Sequence, residues 1–362
     1  MAPMNRDSRV LLVIADSSRS GGPEHVLTLA RELSAAGWAA LVACPPGELV
    51  DRCGGAGIAV ATISVGGRSW ATAPIQLRQL ARQWRASVVH SHGLRAGALL
   101  RRARAQAPMI HTHHLDGWFA SGAVRVMVHR HELRALGRAS KLQIAVSNAV
   151  AAFLIDEVGT DSRRVRVVPN GIDPLPLVPR AAPSGHRVGV LASLTLSKGI
   201  DTAILALATP AGQTLSLFVG GTGPELSSLA DLAYTVGVAD RVNFVGEVRD
   251  RERFFSGCDL AWVPSRAEPF GLSACEAMSS GLPVVASRVG GLTEILDPPH
   301  AGLVVGAGNP AALAAVSLAL LGDPDRYAAL SAAGAERARQ RFSAARMAAL
   351  TRGVYREVMG VQ

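Results

Sequence analysis

The chain has 362 residues, 49% of them hydrophobic and 18% charged, with a formal net charge of +9. That length suits two domains, and no apolar run approaches the ~18 residues of a membrane span. The first eighteen residues, MAPMNRDSRVLLVIADSS, carry too short an apolar run for a signal peptide. The four cysteines, Cys44, Cys53, Cys258 and Cys275, form no C-x-x-C pair, which argues against a disulfide framework or a zinc site. A soluble, cytoplasmic protein is the expectation.

Strand and helix signals alternate from the start. Residues 9–14 (RVLLVI) read as a strand, ADSSRSGG as a loop, and the segment from Pro23 as a helix with Val26, Leu29, Ala30 and Leu33 at helical spacing. Pro23 suits the first helical position. Further strands are expected at 39–44, 58–63, 87–90, 108–111 and 142–146, several of them continuous apolar runs of the kind buried parallel strands show. A Pro-rich connector spans 173–186. The pattern then restarts with strands at 187–192, 214–219, 242–245, 260–263, 283–286 and 303–305 and helices at 309–321, 323–340 and 343–360.

Two α/β domains with parallel, doubly wound sheets follow, 1–172 and 187–342, the helix in 343–362 packing back on the first. Facing domains of this kind bind ligands at the carboxyl ends of their strands, in the cleft.

Charge is uneven. Residues 1–180 carry 22 Lys/Arg and 12 Asp/Glu (22 − 12 = +10), and residues 181–362 carry 15 and 16 (15 − 16 = −1). Arg130, Arg134 and Arg138 fall at four-residue spacing on one helix, with Val124, Met127, Val128, His131 and Ala135 on another stripe. Either this is a solvated arginine-rich surface or it attracts anions, a phosphorylated acceptor or an anionic membrane at its inner face. Aromatic content of 4%, not interleaved with the arginines, argues against nucleic acid.

The strongest local signal is SRAEPFGLSACEAMSSGLPVVAS, residues 265–287. Pro269 and Gly271 force a turn after Glu268, a helix starts near Leu272 with unpaired amides, and Glu276 lies one turn in. Two carboxylates beside an anion site suit a ligand that also carries diols. Lys198 at the start of another helix is badly placed for the helix dipole unless an anion intervenes. The SGG loop (Ser20–Gly22) and GGTGPE (220–225) could each cradle a phosphate or be plain turns. A nucleotide sugar fits all of these groups.

The ordered segments SGGPEHVLTLARELSAAGW, VVHSHGLRAG, HTHH, VVPNGID, SKGIDTAILAL, FVGGTGPE and EPFGLSACEAMSSGLPVVAS resemble the retaining glycosyltransferases of family 4, which have the GT-B fold of two facing Rossmann-like domains. The resemblance implies metal-independent, front-face transfer of a sugar from a UDP- or GDP-linked donor to an unknown acceptor, with no cofactor beyond that co-substrate. It implies catalytic roles for His114, Glu268 and Lys198. Donor contacts would come from Gly21, Gly22, Lys198, the backbone of Phe270, Gly271 and Leu272, and Glu276 on the ribose. At Ser193 the family pattern has an arginine, so one expected cation is missing; Arg266 or another arginine replacing it, a donor bound slightly differently, and a poor or inactive catalyst, a non-catalytic nucleotide-sugar-binding homologue, are the readings this opens, while a nucleotide-sugar epimerase of the same fold is a separate alternative.

Overall fold

The computed structural model describes residues 8–67, 69–114, 123–178, 180 and 182–361, the side chains of 123–126 excepted. The side chain of Val124 and two positions of the 173–186 connector therefore lie outside the described residues. The chain divides into two compact units, Met1–Gly171 with Ala344–Gln362, and Ile172–Ser343.

The first unit runs β1 (Arg9–Ile14), α1 (Gly21–Ala35), β2 (Ala39–Cys44), α2 (Glu48–Gly55), β3 (Ala59–Thr62), α3 (Ser69–Gln83), β4 (Val88–His92), α4 (Leu94–Ala103), β5 (Met109–His113), α5 (Ala123–Ala139), β6 (Leu142–Ala145), α6 (Asn148–Ala152) and β7 (Val165–Val167). The second runs β8 (Arg187–Leu191), α7 (Ile200–Leu207), β9 (Ser216–Gly220), α8 (Leu226–Thr235), β10 (Val242–Gly246), α9 (Arg251–Ser256), β11 (Leu260–Val263), α10 (Leu272–Ser279), β12 (Val284–Ser287), α11 (Leu292–Leu296), β13 (Leu303–Val305), α12 (Pro310–Leu321) and α13 (Pro324–Arg341). Helix α14 (Ala344–Met359) returns the chain to the first unit.

Both sheets are parallel, ordered β3-β2-β1-β4-β5-β6-β7 and β10-β9-β8-β11-β12-β13. In the first, the strand order reverses between β1 and β4, which pair in register from Val10↔Val88 to Ile14↔His92. In the second, it reverses between β8 and β11. Each reversal leaves a crevice at the strands' carboxyl ends, where ligands of such sheets bind.

Alternation along β1 shows how the sheet is covered on both faces. Val10, Leu12 and Ile14 face a core with α1 and α14, while Leu11 and Val13 face one with α3 and α4. In the second unit Val188, Val190, Leu217, Val219 and Trp262 form a core with α7 and α12. The Trp262 indole N–H donates to Ser317 Oγ at 2.7 Å, so the buried ring keeps its polar atom satisfied. All four cysteines are buried free thiols.

Several elements differ from the sequence expectation. Helix α1 begins at Gly21, so Gly21 and Gly22 form its first turn and Pro23 is its third residue. Proline is tolerated there because the first-turn N–H it lacks has no intrahelical acceptor. Strands β4 and β5 run on to His92 and His113, beyond the apolar run, because ladder pairing continues through buried histidines. The short edge strand β7 carries too few apolar residues to announce itself. On α5, Leu133 and Leu136 are buried while Met127 and Val128 are 66% and 55% exposed, so the predicted apolar stripe is not the core-facing one. The connector lies along the second unit, with Leu175 N–H on Ser279 Oγ and Ser184 N–H on Asp259.

Candidate active site

The second unit gathers its candidate residues where β8 and β11 end. A short 3-10 turn, Leu196–Lys198, carries Lys198 past β8, and Gly199 takes left-handed backbone (φ 63°) to start α7. A Cβ on Gly199 would run into the Pro264 carbonyl oxygen, so only glycine lets the lysine turn approach the segment after β11 this closely. Across that approach Lys198 Nζ donates to Glu268 Oε2 at 2.7 Å, and Ser265 Oγ donates to the same oxygen at 3.1 Å. Lys198 at a helix start thus has its anion already, the Glu268 carboxylate, in a pair only 25% and 11% exposed.

Glu268 is held from below as well. Its carbonyl accepts from Gly291 N–H at 3.0 Å, and a Cβ on Gly290 (φ 48°) would collide with that carbonyl. After the turn, Phe270 is buried edge-on against Phe342, and Gly271 caps α10, whose first amides have no partner within the helix. Leu272 opens the helix, and Glu276 lies inside it, 6% exposed and ion-paired with Arg251 from α9. Arg251 was not singled out in the sequence, because nothing local to it betrays a partner 25 positions away.

Ser193 is exposed in the loop after β8, its carbonyl accepting from Thr195 N–H at 2.9 Å. Arg266, the candidate to replace the missing arginine, is engaged within the second unit. Its guanidinium donates to Asp201 Oδ1 at 2.7 Å and to the Leu196 carbonyl at 2.8 Å, and this bond holds the Asp201 carboxyl below its usual pKa despite burial. The GGTGPE loop braces the same region: Leu194 N–H donates to Thr222 O and Glu225 N–H to Leu194 O.

The first unit has its own hollow, a cavity of 420 Å³ at the ends of β1, β4 and β5. Its lining includes Gly22, Asp16, Arg95, His92, His111, His113 and His114. Gly22 and His114 are thus brought together, whereas Gly21 is exposed outside the lining. Asp16 shapes the entering loop by accepting from Ser18 N–H (2.9 Å) and Ser20 Oγ (2.7 Å).

Strand alternation sorts the histidines. On one face, His90 contacts Tyr355 Oη and Thr112 Oγ1, each at 2.7 Å. On the other, His111 Nδ1 meets Ser91 Oγ at 2.8 Å and His113 Nε2 meets Gln143 Oε1 at 2.7 Å. His114, just past β5, stacks on His92. Burial first, then the neighbouring His113, pushes the His114 imidazole down to about 4, and burial pushes His90 down to about 3, so these rings are neutral at physiological pH. His25 and His92 were missed by the sequence reading. The signal was there in VVHSHG and HTHH, paired histidines on neighbouring strands, with His25 one turn along the helix from Gly22.

On α5, Arg130 is paired with Glu157 at 2.7 Å and Arg134 donates to the Val158 carbonyl at 3.0 Å. Among the described residues, no helix is long and apolar enough to cross a membrane.

Two family models match consecutive parts of the chain, "Glycosyltransferase Family 4" over residues 19–174 and "Glycosyl transferases group 1" over residues 182–337. The chain is 33% identical to a D-inositol 3-phosphate glycosyltransferase of Xylanimonas cellulosilytica, over 74% of this chain and 71% of that one. It is 31% identical to a glycogen synthase of Mycobacterium tuberculosis, over 80% and 73%. Among solved structures it is similar to Anabaena Alr3699/HepE in complex with UDP and glucose (TM-score 0.84, 22% identity, covering 95% and 98%). It is also similar to sucrose-phosphate synthase from Thermosynechococcus elongatus (TM-score 0.81, 23% identity, covering 98% and 99%).

Proposed function

The chain belongs to glycosyltransferase family 4, with the parallel-sheet units of the GT-B fold, and from that premise we propose that it moves a sugar from a UDP- or GDP-linked donor to an acceptor hydroxyl, with retention and without a metal on the diphosphate. The observation that carries the reading is the Lys198–Glu268 pair set at the β8/β11 reversal, beside the helix start of α10, whose first amides have no acceptor within the helix. In this reading the diphosphate meets Lys198 and those amides, the sugar hydroxyls meet Glu268, and the ribose diol meets Glu276, whose orientation Arg251 fixes.

As the glycosyl bond lengthens, positive charge grows on the sugar and negative charge on the leaving phosphate. Lys198 and the helix-start dipole offset the second. The acceptor hydroxyl attacks from the leaving group's side, and the departing phosphate oxygen takes its proton. Glu268 positions and stabilises rather than attacking. His114, neutral in the cavity of the first unit, donates to or accepts from a sugar hydroxyl. UDP supports itself as the donor nucleotide because Alr3699/HepE structures hold UDP or UDP-glucose. We also propose that the exposed Met127, Val128 and Arg138 of α5, with Arg134, meet an anionic membrane surface.

The test is a donor and acceptor screen read by mass spectrometry, with UDP- and GDP-sugars against phosphorylated cyclitols, glucans and lipid-linked acceptors. Transfer should appear with one donor class, its product anomer should match the donor's by NMR, and Lys198→Ala should lower kcat/KM by ~10²–10³. Binding without turnover across the panel would favour a non-catalytic homologue, and product without acceptor would favour an epimerase.

A further inference from the structure

Three of the buried histidines of the first unit converge. One nitrogen each from His25, His92 and His114 lies within 4.8 Å of the other two. Their neighbours are otherwise engaged: His90 through both ring nitrogens, His111 with Ser91, His113 with Gln143. Within the triad, His92 Nδ1 and His114 Nε2 stand 3.4 Å apart. That separation is about the edge of a tetrahedron whose corners lie ~2.1 Å from its centre, the zinc–imidazole distance.

We propose that His25, His92 and His114 bind one divalent transition-metal ion, Zn²⁺ fitting best, with the fourth position open to an oxygen ligand from the 420 Å³ cavity. Three features support it. The rings are 4%, 2% and 8% exposed, so the ligands are buried. His25 Nδ1 is buried with no hydrogen-bond partner, a loss of the kind that usually calls for a missing partner. The ligands come from α1, the end of β4 and the residue after β5, elements fixed by the sheet rather than by a loose loop.

Asn170 stands beside His25, its Oδ1 unpartnered and available to accept the proton of the nitrogen that does not coordinate, the outer-shell contact such ligands use. Three neutral nitrogens and no carboxylate select zinc or its borderline neighbours over magnesium or calcium. The cysteine spacing that argued against zinc is silent on a site built of imidazoles. Coordination through Nε2 leaves the His114 proton on Nδ1, so the same ring can still donate to a hydroxyl in the cavity.

The site is read by metal binding and so stands or falls apart from the sugar-transfer reading. Tag-free, chelator-stripped full chain is titrated with Zn²⁺ against a chromophoric competitor and with Co²⁺ followed by its visible bands. One equivalent should bind, Co²⁺ should give a tetrahedral spectrum, and zinc X-ray absorption on the unmutated protein should count three imidazole nitrogens. His25→Ala and His92→Ala should each weaken binding by at least ~100-fold, while His300→Ala, an exposed histidine of the second unit, should not. Absence of a tight equivalent, a first shell without three imidazoles, or binding unchanged in folded His25→Ala and His92→Ala overturns the proposal.

Discussion

Ser193 decides how much cationic charge the second unit offers a diphosphate. Its neighbours do not make up the difference, since Arg266 is clamped on Asp201 and Arg251 on Glu276. Ser193→Arg, at an exposed loop position, should therefore tighten UDP or GDP binding by ~10-fold, the worth of one charge-assisted contact. Calorimetry with the free nucleotide checks it, and an unchanged affinity would mean that the phosphates lie elsewhere. At this scale the sequence was partly legible. Glu268 and Lys198 could be singled out because proline and glycine beside them announce special backbone. The partner of Glu276 could not, because Arg251 reaches it from another helix through tertiary packing that no local spacing records; His25 and His92 were legible only as histidines recurring on neighbouring elements.

Elements were legible where burial is one-sided or continuous, as in β1, β2 and α1, whose apolar residues are the ones that face the cores. They were misjudged where polar residues are buried. Histidines prolong β4 and β5, and two glycines make the first turn of α1. The crossing of the 268–271 turn over the segment before α11 depends on Gly290 in left-handed backbone, with no room for a Cβ against the Glu268 carbonyl. Gly290→Ala should cost about 2–4 kcal/mol, combining conformational strain with displacement of that carbonyl. Urea unfolding measures it. Donor affinity should fall in the same variant, because Glu268 shifts with its own backbone; full stability with unaltered affinity would show that the turn does not set the carboxylate.

Across the whole molecule, the net charge of +10 in residues 1–180 against −1 in the rest is the property that composition showed and the fold explains only in part. Arg130, Arg101 and Arg52 answer Glu157, Glu132 and Glu24 as ordinary ion pairs. Replacing Arg130, Arg134 and Arg138 with glutamine should lower sedimentation with anionic vesicles several-fold at low salt and have little effect at high salt, where screening has already weakened the attraction. Equal sedimentation at low salt would reduce the stripe to a solvated surface. Division into two parallel-sheet units could be read from the repeated strand-helix alternation.

Tyr355 of α14 contacts His90, and Met347, Ala348 and Val354 fill the core behind β1. Burying such side chains contributes about 1.5–3 kcal/mol for each large one, a sizeable share of the 5–15 kcal/mol that usually separates folded from unfolded. A ribosome releases these residues only after everything from Ile172 to Ser343 has emerged. During synthesis the opening domain must therefore wait, its sheet half-covered, while the later-made domain folds ahead of it.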